Sequence, residues 1–102
     1  MKYTIDDLEK DISDIITELA AMRKAKGHDY SGTEDTLDNL REFGTFGVVV
    51  RIMDKVKRLK HFFRQGVLEV EDEKIGDTMC DLINYALYLL IMWRQERPRV
   101  KK

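Results

Sequence analysis

Proline occurs once in this chain, as Pro98, and no segment alternates β-branched with polar residues as a half-buried strand does. A β-rich fold is excluded, and the chain reads as helices punctuated by glycines. Cysteine also occurs once. Cys80 cannot close an internal disulfide, and its place inside a helical pattern fits a reducing compartment and a small buried side chain. Excess charge is lacking too: 18 Lys and Arg against 19 Asp and Glu leave a net charge of -1. No global field recruits an anionic membrane or nucleic acid, so direct nucleic-acid binding is not expected. The N-terminus MKYTIDDLEKD is acidic where a signal peptide is basic and then apolar. The longest apolar-rich run, ALYLLIMW, falls short of the ~20 residues a membrane span needs. The expectation is a cytoplasmic protein without membrane contact. Absent as well are a Walker-type glycine-rich phosphate loop, a G-x-S-x-G nucleophile motif and a CxxC pair, which excludes those enzyme classes. His28 and His61 stand alone and read as surface or capping residues rather than ligands.

What is present is helical periodicity. At 102 residues the chain has room for one core, so a single helical domain is expected over residues 1–97, with 98–102 as a frayed basic tail. The first helix should start at Thr4, whose hydroxyl caps free amides while Asp6 and Asp7 favour the first turn. It carries Ile5, Leu8, Ile12, Ile15, Ile16, Leu19 and Met22 as an apolar stripe to about Ala25. GHDYSGT, residues 27–33, reads as a loop with a buriable Tyr30. A short helix is expected from about Glu34 to Phe43, with Leu37, Leu40 and Phe43 inward, and a corner at Gly44 and Gly47. The next helix, about Val48 to Arg64, should bury Val49, Ile52, Val56, Leu59 and Phe63 and end at Gly66. The last opens near Glu71 or Asp72 and stops before Pro98. The fold class expected is all-α, a four-helix-type bundle whose two long C-terminal helices run antiparallel and whose core is completed by oligomerisation.

The last helix has two faces. Ile75, Met79, Leu82, Ile83, Ala86, Leu87, Leu90 and Trp93 project into one broad apolar arc, the expected core face, with Tyr85 and Trp93 as core aromatics. Glu73, Asp77, Asp81, Asn84 and Tyr88 gather on the opposite side. Carboxylates at i, i+4 repel by roughly 0.2–0.5 kcal/mol per pair in an isolated helix, so something should compensate. The helix dipole explains Glu73 and part of Asp77, but its effect fades within a turn. The preceding helix carries Arg51, Lys55 and Arg58 in one line bordering its apolar arc, with Lys57 and Lys60 turned away. An antiparallel pairing would set this basic shoulder against the acidic one. Two outcomes use the same residues: a structural ion-pair network, or a phosphate clamp beside a metal site, in which oxygen ligands hold Mg²⁺ and the cations neutralise phosphate.

DYSG at 29–32, R-x-x-D-K-x-x-R at 51–58 and E-x-x-x-D-T-x-x-D-L-x-x-Y-A at 73–86 together resemble the nucleotide modification associated domain family. That family occurs largely in phage and bacterial proteins and is related to the all-α nucleoside triphosphate pyrophosphohydrolases of the MazG-like and dimeric dUTPase type. The similar stretch runs from about Ala25 to Trp93. The resemblance implies a homodimer or larger homo-oligomer that binds a nucleoside triphosphate with Mg²⁺, or Mn²⁺ in its place. It also implies hydrolysis between the α and β phosphates of a deoxynucleotide or a modified one. It assigns Glu73 and Asp77 as catalytic metal ligands with Asp81 beside them, and Arg51, Lys55 and Arg58 as phosphate-binding. Asp29 and Tyr30 would close over the nucleotide, and Asn84 would bond base or sugar. The chain departs from the pattern in lacking an E-x-x-E pair on the facing helix, which offers only Asp54. The set would be completed by Asp38 or Glu42, or by a second subunit. The alternatives are a nucleotide-binding module without turnover and a structural helical oligomerisation protein.

Overall fold

The computed structural model describes residues 1–30, 37–65 and 72–96, with side chains over 1–26, 37–65 and 75–96. It is all-α, as the spacing predicts: α1 is Ile5–Tyr30, α2 Asp38–Arg41, α3 Gly44–Gln65 and α4 Asp72–Glu96, with no strand among the described residues. The chain divides into two compact units, Met1–Thr36 and Leu37–Lys102.

The first unit contains α1, and its start is the one expected. The Asp7 amide donates to Thr4 Oγ1 at 3.1 Å, and the Thr4 amide donates to Asp7 Oδ2 at 2.9 Å. This reciprocal box satisfies two amides that a helix start otherwise leaves free. The Thr4 amide, with the Thr4 hydroxyl beside it, holds the Asp7 carboxyl below its ordinary pKa, because donors to a carboxylate favour its charged form. The end of α1 differs from the expectation. The helix continues past Ala25 and Gly27 to Tyr30, so GHDY is helical rather than loop. A helical glycine costs only about 1 kcal/mol relative to alanine, and no proline forces a stop. The rest of the expected loop, residues 31–33, lies outside the described residues, as do the side chains of Asp29 and Tyr30. Of the apolar stripe only Leu19 is buried; Ile5, Leu8, Ile12, Ile15, Ile16 and Met22 are exposed.

In the second unit, α2 is a single turn, shorter than the expected Glu34 to Phe43; residues 34–36 lie outside the described residues. Leu37 and Leu40 are half-buried, but Phe43 is exposed. The corner falls at Gly44 alone, where φ is +70°, a region open to glycine at little cost. Gly47 is inside α3, and a Cβ there would lie 2.6 Å from Phe43 Cβ. Gly44→Ala and Gly47→Ala should each lower the free energy of unfolding by about 1–2 kcal/mol, through backbone strain and collision respectively. Gly76, in the second turn of α4 with open space around it, should do the reverse, Gly76→Ala adding about 0.5–1 kcal/mol. Urea unfolding followed at 222 nm would check the opposite signs.

α3 and α4 pack against each other, and two side-chain contacts define an antiparallel register. Lys55 meets Asp81; four residues back, Arg51 meets Tyr85, four residues on. Arg41 at the end of α2 meets Gln95 near the end of α4. The seam on α3 is Val48, Ile52, Lys55, Leu59 and Phe62, spaced four and three alternately, as two packed helices require. On α4 it is Thr78, Asp81, Tyr85, Tyr88 and Met92, with Thr78 and Met92 buried at its ends.

This seam corrects the expected core. On α3 Phe62 is buried, 8% exposed, while Phe63 is 64% exposed and Val56 is also exposed. On α4 Met79, Ile83, Leu90 and Trp93 of the supposed core arc are exposed. The reason is geometric. At 100° per residue, Val49, Val56 and Phe63 lie to one side of the α3 seam, and Ile75, Met79, Leu82, Ala86 and Trp93 lie to the same rotational side of the α4 seam. Because the helices are antiparallel, both sets fall on one face of the two-helix layer. Of the core residues expected on α3, Ile52 and Leu59 enter the seam, while these others form an apolar face of the layer rather than its interior. Cys80 is half-buried. The end of α3 at Gly66, the α4 start at Glu71 and the tail 98–102 lie outside the described residues.

The stretch Ile75–Glu96, 22 residues, is long and apolar enough to cross a membrane by length and composition, although its longest uninterrupted apolar run is short.

Candidate functional site

The polar face of the α3–α4 layer carries the expected stripes, and the structure brings their centre together. Lys55 Nζ donates to Asp81 Oδ2 at 3.0 Å, with the lysine side chain 16% exposed and the carboxylate 39% exposed. Lys55 sits in the seam itself, its stem packed between helices and its ammonium directed to the polar face, as long cationic side chains do. The pair is thus part of how α3 and α4 recognise one another, and Asp81 is partly open to water. One turn along, the Arg51 guanidinium lies 5.9 Å from the centroid of the Tyr85 ring and reaches its hydroxyl at 3.4 Å. Tyr85 makes an edge-to-face pair with Tyr88, ring centroids 6.3 Å apart at 82°. A cation over an aromatic face is worth about 0.5–1 kcal/mol at such an exposed site.

Around this centre the polar residues separate into two kinds. Asn84 and Tyr88 are half-buried and engaged in further interactions, consistent with positions at the edge of the seam. Asp77 and Arg58 are exposed, and neither makes a hydrogen bond or ion pair among the described residues. Asp77 stands one turn before Asp81 on the same side of α4, where Cβ atoms are about 5–6 Å apart. Glu73, one further turn back, belongs to α4, but its side chain lies outside the described residues. Asp38 is in α2 and Glu42 follows it, both exposed.

Among the described residues no group of three or more His, Cys, Asp or Glu side chains is gathered to hold a metal. The donor set there is two carboxylates, Asp77 and Asp81. Mg²⁺ is commonly held by one or two carboxylates, the remaining positions going to water and substrate phosphate, so the donor chemistry meets that minimum. Asp81 and Tyr88 are the residues placed differently from the expectation: both were assigned to the face opposite the core, yet they lie in the seam with the half-buried Tyr85, whose hydroxyl Arg51 reaches. Trp93, expected in the core, is half exposed. Comparison with protein-family models, with curated proteins and with solved structures finds no match.

Proposed function

We propose that this protein is an all-α nucleotide-binding domain acting as a Mg²⁺-dependent nucleoside triphosphate pyrophosphohydrolase in the cytoplasm. The observation that carries the reading is the Lys55–Asp81 contact at the polar face. Lys55 belongs to the basic line with Arg51 and Arg58, and Asp81 to the acidic line with Asp77, so their contact supports the pairing of the two lines that the motif resemblance implies. Polyphosphate binding needs both signs of charge within a few ångströms: carboxylates for a hard cation, guanidinium and ammonium groups for the phosphate oxygens.

In this reading Asp77 and Asp81, with Glu73, would hold Mg²⁺, which would polarise phosphate oxygens and neutralise their charge. Arg51 and Arg58 receive phosphate oxygens, and Lys55 turns from Asp81 toward the polyphosphate when nucleotide enters. Water attacks the α phosphorus, the bond to the bridging oxygen breaks, and pyrophosphate leaves from a nucleoside monophosphate. Tyr85 and Tyr88 offer aromatic edges and faces beside Arg51 for the base, and Asn84 a hydrogen-bonding amide. The two carboxylates of α4 also support a cytoplasmic location, since an aspartate inside a bilayer costs about 2.5–3.5 kcal/mol at the helix centre. A module that binds nucleotide without turnover is the second reading, favoured by the two-carboxylate donor set.

Melting temperature measured across a deoxynucleoside triphosphate panel, with and without Mg²⁺ or Mn²⁺, tests both. The expected result is stabilisation only when nucleotide and metal are present together, ~2.7 kcal/mol at a hundred times the dissociation constant, with pyrophosphate released. Stabilisation without product selects the binding module. No shift and no product with any nucleotide and either metal removes both.

A further inference from the structure

Asp81 already has a cation. Lys55 Nζ donates to its Oδ2 at 3.0 Å, and the lysine side chain is 16% exposed against 39% for the carboxylate. The stem of Lys55 is ordered between α3 and α4, so its ammonium is tethered beside Asp81 at an effective concentration that a free ion must match. Arg51, one turn away, is engaged with Tyr85 instead. Asp77, one turn before Asp81 on α4, is exposed to water.

A divalent ion arriving alone therefore meets one open carboxylate, one already neutralised, and a positive charge beside both. Mg²⁺ gives up its waters reluctantly and is usually held by one or two carboxylates together with substrate phosphates. A polyphosphate changes both sides of this balance at once. Its oxygens complete the donor set, and its charge draws the ammonium away from Asp81.

We propose that Lys55 is a built-in counter-ion that closes the acidic stripe to free divalent metal and opens it only to metal that arrives with a polyphosphate. The inference rests on the nucleotide reading above and adds to it an order of admission. Lys55 occupies Asp81 in the empty site, exchanges it for phosphate oxygens, and leaves both carboxylates to the incoming ion. Because its stem is fixed in the seam, the exchange needs only the end of the side chain to move, and α3 and α4 keep their register.

Binding of Mn²⁺, followed by the electron paramagnetic resonance of the free ion, tests this on the full-length chain and two variants. Lys55→Met keeps an apolar stem in the seam and removes the ammonium. Lys60→Met removes the same charge from an exposed position on α3, away from the seam. Without polyphosphate, Lys55→Met should bind Mn²⁺ about tenfold or more tightly than either the unaltered chain or Lys60→Met, since a charge a few ångströms from the ion is gone. Supplied with inorganic tripolyphosphate, Mn²⁺ should bind the unaltered chain at least tenfold more tightly than alone, and Lys55→Met should lose most of that difference. The lysine ammonium resonances of the unaltered chain give a check that depends on no variant folding. The Lys55 signal should hold its position when Mg²⁺ is added alone and shift when tripolyphosphate follows. A shift with Mg²⁺ alone overturns the proposal. So does equal Mn²⁺ affinity in Lys55→Met and Lys60→Met; if the unaltered chain still binds the metal with tripolyphosphate, the nucleotide reading survives that result. An unaltered chain that binds Mn²⁺ neither alone nor with tripolyphosphate removes both.

Discussion

Asp77→Ala should abolish Mg²⁺-dependent pyrophosphate release, by about 10²–10³-fold or more, while leaving unfolding within about 0.5 kcal/mol of the unaltered protein. The separation follows from geometry. Asp77 is exposed on α4, so its carboxylate supports no packing, and a loss of activity on its removal can come only from a lost ligand contact. Asp81→Ala should differ. Its carboxylate receives Lys55, whose side chain is largely buried, and stranding that ammonium should cost about 1–2 kcal/mol. The value sits at the low end because water reaches the carboxylate and screens the pair. Asp81→Ala should therefore lose both activity and stability, and a nucleotide titration by calorimetry alongside urea melts would resolve the two. Should Asp77→Ala retain full activity, the acidic stripe is not the ligand set and the polar face is an ion-pair seam.

Met92→Ala should lower the free energy of unfolding by about 2–5 kcal/mol, the cost of removing a fully buried large side chain and leaving a cavity. Met92 is 0% exposed at the end of the α4 seam, and few other large side chains share its burial. A two-helix layer with so small an interior has little packing elsewhere to offset a void. The matched control is Met53→Ala on the outer surface of α3, where the side chain is exposed and the change should stay within about 0.5 kcal/mol. Urea melts of both variants at 222 nm give the comparison. Equal effects at the two methionines would mean that the α3–α4 seam does not run through Met92.

Much of this was legible in the order of residues. Helix after helix follows from apolar spacing and from the lack of proline. The α1 start follows from Thr4 and Asp7, because a cap is local: its donors and acceptors lie within one turn of chain. The basic and acidic stripes, and their confrontation across antiparallel helices, were also readable, since helical periodicity fixes which residues share a line. Phe62 against Phe63 shows where legibility ended. Both are large and apolar, they differ by 100° on the helix, and the seam direction that buries one and exposes the other depends on the partner helix. Trp93 was misplaced for the same reason.

What the sequence determined by itself is therefore everything carried by contacts within a few residues: an all-α chain, its capped first helix, two amphipathic long helices and the alignment of their charges. Only the tertiary structure decided that the seam of α3 and α4 runs through Lys55 and Asp81, leaving the richest apolar arcs on an outer face. That choice is made by two surfaces at once. A helix with apolar residues around much of its circumference has several directions in which burial is nearly as favourable, and the register of its partner, set here by Lys55–Asp81 and Arg51–Tyr85, selects among them.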